Sequence, residues 1–162
     1  MKTMQDFMEH TIQDLYSAEQ QALEIMPELV ERVTNEQLRT AFETHIQETG
    51  QQVQRLEQIA RQMGIEPEGE TCIAMQGLID EALELLDQLD DDQLADAAII
   101  AAAQKMEHYE IAAYGTARTL AQQAGQDQVA QLLEQTLSEE KSTDEKLTQI
   151  AIGSVNQQAA QA

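Results

Sequence analysis

The sequence predicts an all-α protein, an antiparallel four-helix bundle with a long crossover that carries an extra helix. Three observations lead there. Apolar residues recur at alternating steps of three and four along four long segments, the period of one helix face. Only two prolines and seven glycines interrupt the 162 residues. No sustained alternation of β-branched residues competes for a strand. The joints between the long segments run short, long, short. Short joints make antiparallel neighbours, and a long middle joint can travel the length of the bundle.

The first segment covers residues 4–33, with Met8, Ile12, Leu15, Glu19, Ala22, Met26, Leu29 and Val33 on one face. Pro27 lies inside it and is expected to kink the helix or loosen one turn. Thr34-Asn35 reads as a turn, with Asn35 placed to cap the next helix. The second segment, 36–63, carries Leu38, Phe42, His45, Glu48, Gln52, Leu56, Ile59 and Met63, and Gly64 stops it. Residues 64–69 are a loop by composition. A shorter helix over 72–89 is apolar around much of its girth, and Asp90-Asp91-Asp92 ends it and can cap the next helix. The fourth segment, 92–124, aligns Ala97, Ile100, Gln104, Glu107, Ile111, Tyr114, Ala117 and Ala121 before Gly125. The fifth, 127–152, aligns Ala130, Leu133, Leu137, Glu140, Asp144, Leu147 and Ala151. The bundle domain is thus expected over 1–152. Residues 153–162, rich in Gln and Ala, are expected as a flexible tail that frays. One long crossover between two helix pairs is the connectivity of ferritin-like bundles.

Nine Lys and Arg stand against thirty Asp and Glu, a net charge of −21. Nucleic-acid backbones and anionic membranes are themselves negative, so neither is expected as a partner. Cations suit such a chain. Aromatic residues make up 3% and Trp is absent, so Leu, Ile, Val, Ala and Met must fill the core. Cys72 is the one cysteine, which excludes an internal disulfide framework and a cysteine-cluster metal site. It is open to oxidation or to crosslinking a dimer, with a buried, inert thiol as the default. Residues 1–10 lack the apolar block of a secretory signal, and the longest apolar run, 97–103, is too short to span a bilayer. A soluble, cytoplasmic protein is expected.

Every long helix carries acids where its stripe calls for a hydrophobe: Glu19, Glu48, Glu107 with Glu110, and Glu140 with Asp144. Residues three and four apart share a face, so these side chains should point inward with their apolar neighbours. Their heights agree too. Folding the first pair about Thr34 sets Glu19 beside Glu48, and folding the last about Gly125 sets Glu110 against Glu140 and Glu107 beside Asp144. Burying an unpaired carboxylate costs about several kcal/mol, against a total stability of roughly 5–15 kcal/mol. Cations, protons or water must compensate. A pair of divalent metals does so most simply, and inward carboxylates from four helices are how di-metal bundles are built. Taken singly, each acid is as easily a solvated surface group; the pattern across four helices is what argues for a site.

The segments 15–19 (LYSAE), 45–49 (HIQET), 103–112 (AQKMEHYEIA) and 139–147 (EEKSTDEKL) resemble the YciE/YciF-like family of bacterial ferritin-like proteins, as does 72–79 (CIAMQGLI) in the crossover. The resemblance spans nearly the whole chain short of the tail. It implies a ferritin-like bundle, a homodimer, a di-metal centre and a link to bacterial stress responses. The wider superfamily places a Glu on the first helix, Glu-x-x-His on the second, Glu on the third and Glu-x-x-His on the last, and rubrerythrin-like members add a second Glu on the third. Glu19, Glu48, Glu107, Glu110 and Glu140 match the carboxylate positions. Gln51 and Thr143 stand at the histidine positions, leaving His45 and Asp144 as the substitutes at hand. Such an oxygen-rich site suits iron, manganese or magnesium.

His45, on the inner stripe, is either a ligand or partner of a ligand, or a packed core histidine. His108 lies about 100° around the helix from Glu107 and reads as a contact between helices. Tyr16 and Tyr114 lie near the acid layer, placed either to donate a hydrogen bond to a ligand carboxylate or to act as amphipathic core residues. The methionines read as gap fillers. Two functions compete. One is a redox protein with two iron or manganese ions per chain that reacts with oxygen or peroxide. The other is a non-catalytic dimeric stress protein whose metal site is structural or degenerate. An iron-storage cage is weaker, and a DNA-protecting role lacks a basic arm.

Overall fold

Each helix but the fifth and the short last one begins where a side chain takes up free amides of the first turn. The computed structural model describes residues Met1–Ala162. Thr3 opens α1 (Met4–Arg32) through a capping box, accepting from Asp6 N while the Asp6 carboxylate accepts from Thr3 N. Asn35 opens α2 (Glu36–Met63), its Oδ1 accepting from Gln37 N and Leu38 N at 3.0 and 3.1 Å. Gly64 closes α2 at φ 70°, a left-handed conformation that side chains resist. Cys72 caps α3 (Ile73–Leu86), and Asp91 caps α4 (Asp92–Gln123). Gly125, also at φ 70°, turns the chain into α5 (Asp127–Ile150). α1 runs unbroken through Pro27.

The four long helices close a ring in which α1 packs on α2 and α4, and α5 packs on α2 and α4, while α3 lies across α1 and α4. Neighbours are antiparallel. The start of α4 meets the end of α1, where Asp96 accepts from Thr34 and Asn35, and further along Tyr114 reaches Glu19. His45 of α2 faces Thr143 of α5, and Arg55 faces Thr136. The fold is thus all-α and ferritin-like, with α3 in the crossover. No helix is long and apolar enough to cross a membrane.

The end of the chain differs from the fraying tail. A π-helical turn, Ala151–Val155, follows α5, and α6 (Asn156–Ala159) follows that. Ala151 and Val155 are buried in the same apolar cluster as Ile99, Ile100 and Leu147, and the Asn35 amide donates to Ser154 Oγ at 3.2 Å. Ala151 and Val155, four residues apart in the π turn, face the bundle, while Ile152 between them is 68% exposed.

The core falls into two parts. The larger joins the C-terminal half of α1, the start of α2, α3, the first half of α4 and the end of the chain; the smaller joins the opposite halves. They part between Leu15 and Ala18, Phe42 and Leu56, Met106 and Tyr114, and Leu137 and Leu147. The buried acids fill the interval.

A candidate metal centre

Between the two apolar clusters, α1 contributes Glu19, α2 His45, α4 Glu107 and Glu110, and α5 Glu140, none more than 7% exposed. Glu107 and Glu110 are three residues apart and so share a face. His45 Nε2 lies 3.0 Å from Glu107 Oε1. One ligating atom each from His45, Glu107 and Glu140 lie within 4.8 Å of one another. The Tyr114 hydroxyl, fully buried, donates to Glu19 Oε1.

The electrostatics follow from depth. Burial pushes the Glu19 carboxyl up to about 7, although the Tyr114 hydrogen bond and the His45 charge pull the other way. Burial also raises Glu110 well above the carboxylate range, with Glu19 and Glu107 adding repulsion. Glu140 is raised in the same way by burial and by the charges of Glu110 and Glu107. His45 moves in the opposite sense to its burial. Desolvation disfavours its charge, but the nearby carboxylates of Glu107 and Glu48 outweigh that and push it up to about 10. Burial and then the Glu19 charge raise the Tyr114 hydroxyl.

Four carboxylate oxygens in this layer are buried without a partner: Glu107 Oε2, Glu110 Oε1 and both oxygens of Glu140. A buried acceptor left unpaired is costly, so the layer is built for something that takes up negative charge. Several carboxylates and one imidazole form a donor set that fits a divalent cation such as iron or manganese.

The expected residues fare differently. Glu19, Glu107, Glu110, Glu140 and His45 come together, and Tyr114 reaches Glu19. Glu48 stays at the edge. Its side chain is 40% exposed, and its Oε2 lies 3.8 Å from His45 Nδ1, which holds it below the usual carboxylate range. Thr49 takes the buried position instead, its hydroxyl donating to the His45 carbonyl at 2.9 Å. Asp144 turns toward α4, 3.3 Å from His108 Nε2 and accepting from Gln104 Nε2 at 2.9 Å. His108 is therefore the contact between helices that its position indicates. Tyr16 is partly buried against the smaller cluster. Cys72 is buried, its Sγ 3.0 Å from the Tyr109 hydroxyl, and burial pushes its thiol up.

Sequence reasoning missed a second polar layer beside the acids. Arg55, 8% exposed, pairs bidentately with Glu139 at 2.9 and 3.0 Å and donates to Thr136. Gln52 Nε2 donates to the same Glu139 at 3.2 Å, and its Oε1 is buried without a partner. The signal was present: Arg55 is a charge beside Leu56, on the same inward arc as Gln52.

A family model described as "Domain of unknown function (DUF892)" matches residues 3–160. Protein YciF of Escherichia coli (strain K12) is 46% identical over 160 residues, 98% of this chain and 96% of that protein. The crystal structure of the E. coli stress protein YciF superposes with a TM-score of 0.91, over 96% of this chain and 99% of that one. YcfI of Rhodopseudomonas palustris gives a TM-score of 0.90 at 40% identity, over 91% and 94%. A protein of Xanthomonas campestris pv. campestris, 21% identical, shares the fold at a TM-score of 0.77 over 99% and 100%.

Proposed function

The chain belongs to the DUF892 family of YciE/YciF-like, ferritin-like proteins, and from that premise we propose that it binds two divalent ions, iron or manganese, through the buried acid layer and reacts with oxygen or peroxide. The observation that carries this reading is the set of unpartnered oxygens on Glu107, Glu110 and Glu140 around His45. Glu19, Glu107, Glu110 and Glu140 carry four negative charges when ionised, which two divalent ions neutralise. His45 loses its proton to serve as a ligand, and its Nδ1 lies 3.4 Å from Thr143 Oγ1 and 3.8 Å from Glu48 Oε2. Two reduced ions would supply, one electron each, the pair that cleaves the O–O bond of hydrogen peroxide, which leaves with two protons as two waters.

The chain's own groups do the rest. The Tyr114 hydroxyl holds its proton on Glu19 Oε1 and fixes that carboxylate. The apolar clusters above and below keep bulk water from the layer. A stress role of the kind that the name of YciF carries, and the expected homodimer, belong to the same proposal. Ile73 at the start of α3 is 84% exposed and Leu85 near its end is 38% exposed, apolar groups of the kind that a second copy would cover. Light scattering tests that.

The deciding experiment is elemental analysis after anaerobic reconstitution with iron(II) or manganese(II), beside the double variant Glu107→Gln/Glu140→Gln. About two ions per chain in the native protein, lost in the variant, is the expected result. No metal above background would overturn it. One observation favours a non-catalytic reading: a charged His45 among protonated acids can neutralise the layer without any ion. That reading predicts the background result.

A further inference from the structure

A groove of about 500 Å³ opens between the start of α2 and the end of α5, walled by Glu36, Thr40, Ala41, Lys146 and Gln149. Ala41 and Lys146 also wall a second, smaller cavity of about 10 Å³. The two spaces therefore lie in series, with Ala41 and Lys146 as the neck. The inner cavity presents mainly apolar surface, from Ala41, Phe42 and Leu147, and His45, Glu107, Thr143 and Lys146 line it too. Two other grooves, along Gln21 and Gln76 and around Gln62 and Gly125, touch none of the five residues of the acid layer.

Size and charge restrict what can pass. At about 10 Å³ the cavity is at the lower limit for a single water, so whatever passes must be hardly wider than a water. The mainly apolar surface of the inner cavity penalises any ion that enters it. We propose that groove and cavity form an entry path for a small uncharged oxidant of two heavy atoms, dioxygen or hydrogen peroxide, which reaches the centre at the His45–Glu107 edge. What the oxidant meets there rests on the metal reading above; the path itself does not.

The path is tested first in metal-free protein. Leu147→Cys in a Cys72→Ala background puts one thiol on the cavity wall. Methyl methanethiosulfonate, a small reagent, should label it about tenfold or more faster than the bulky 5,5′-dithiobis(2-nitrobenzoic acid). Ala41→Phe should plug the neck and slow the small reagent about tenfold. Ala41→Leu is a smaller plug in case the larger one disturbs folding, which circular dichroism checks. Equal labelling by both reagents, or a rate that neither plug changes, would overturn the path. In iron(II)-loaded protein with native Leu147, stopped-flow oxidation by dioxygen and by hydrogen peroxide is then followed separately. Ala41→Phe should slow the oxidant that uses the path and leave iron uptake unchanged; iron uptake slowed in its place would make this a cation route and overturn the proposal. Labelling that closes with the plug, in protein that never binds iron, would keep the path and remove the metal reading.

Discussion

His45 and the acids around it set the pH behaviour of the metal-free protein. The carboxyl of Glu19 is raised to about 7 in the fold from an ordinary value near 4.5, and burial raises Glu110 and Glu140 well above the carboxylate range. A raised folded value means that stability is fully present below the unfolded value and is lost as pH rises through the folded one. For Glu19 the loss runs between about 4.5 and 7. His45, raised to about 10 from 6.5, has the same sign, and its contribution is lost as pH rises through that range. Metal-free protein should therefore melt at lower temperature at pH 8 than at pH 6. Glu110→Gln should flatten that slope in calorimetry and raise stability by about 1–3 kcal/mol at a pH high enough to ionise the native carboxyl, since a neutral amide then replaces a buried charge. The same substitution should weaken metal binding, so its sign reverses when ions are added. Most of this layer was legible from sequence. Glu19, Glu107, Glu110 and Glu140 each sit squarely on an apolar stripe, and burial follows. Glu48 was less legible because residues 48 and 49 flank the inward direction set by His45, three and four residues along. Geometry gives the place to Thr49, and Glu48 emerges at the edge. Asp144, between Glu140 and Leu147, likewise turns toward α4, 3.3 Å from His108 Nε2.

Elements are held in register by contacts that no periodicity announces. Asp96, in the second turn of α4, is 2% exposed and accepts from Thr34 N at 2.8 Å, Thr34 Oγ1 at 2.7 Å and Asn35 N at 2.9 Å. One carboxylate thus ties the start of α4 to the turn between α1 and α2. Asp96→Ala leaves those donors unpaired and should cost about 2–4 kcal/mol in urea unfolding, with an unchanged m-value. The helices and most caps were readable: Asn35, Gly64 and the triple aspartate each punctuate as their chemistry requires. Asp96 was not, because an acid near a helix start reads as a surface group favouring the dipole. The last segment was hidden for a related reason. Gly153 and the Gln/Ala composition signal fraying, yet a π turn carries Val155 to 1% exposure.

At the scale of the molecule, the net charge of −21 acts on stability in two separable ways. Spread over the surface, it repels itself, and this repulsion is screened by salt with a Debye length of about 10 Å at 0.1 M. Concentrated in the acid layer, it lies away from solvent, where screening is weak. Sodium chloride should therefore raise the melting temperature of the native protein and of Glu107→Gln/Glu140→Gln alike. Manganese(II) should not treat them alike. An ion that binds the folded state alone adds about 2.7 kcal/mol at a hundred times its dissociation constant. For a domain of this length that is a rise of roughly 5–10 °C. Differential scanning calorimetry at fixed, moderate salt should show that rise in the native protein and lose it in the double variant. Loosely held surface ions would lift both proteins together, because the variant keeps every exposed acid. A manganese response equal in the two would place the binding on the surface and leave the buried layer to protons.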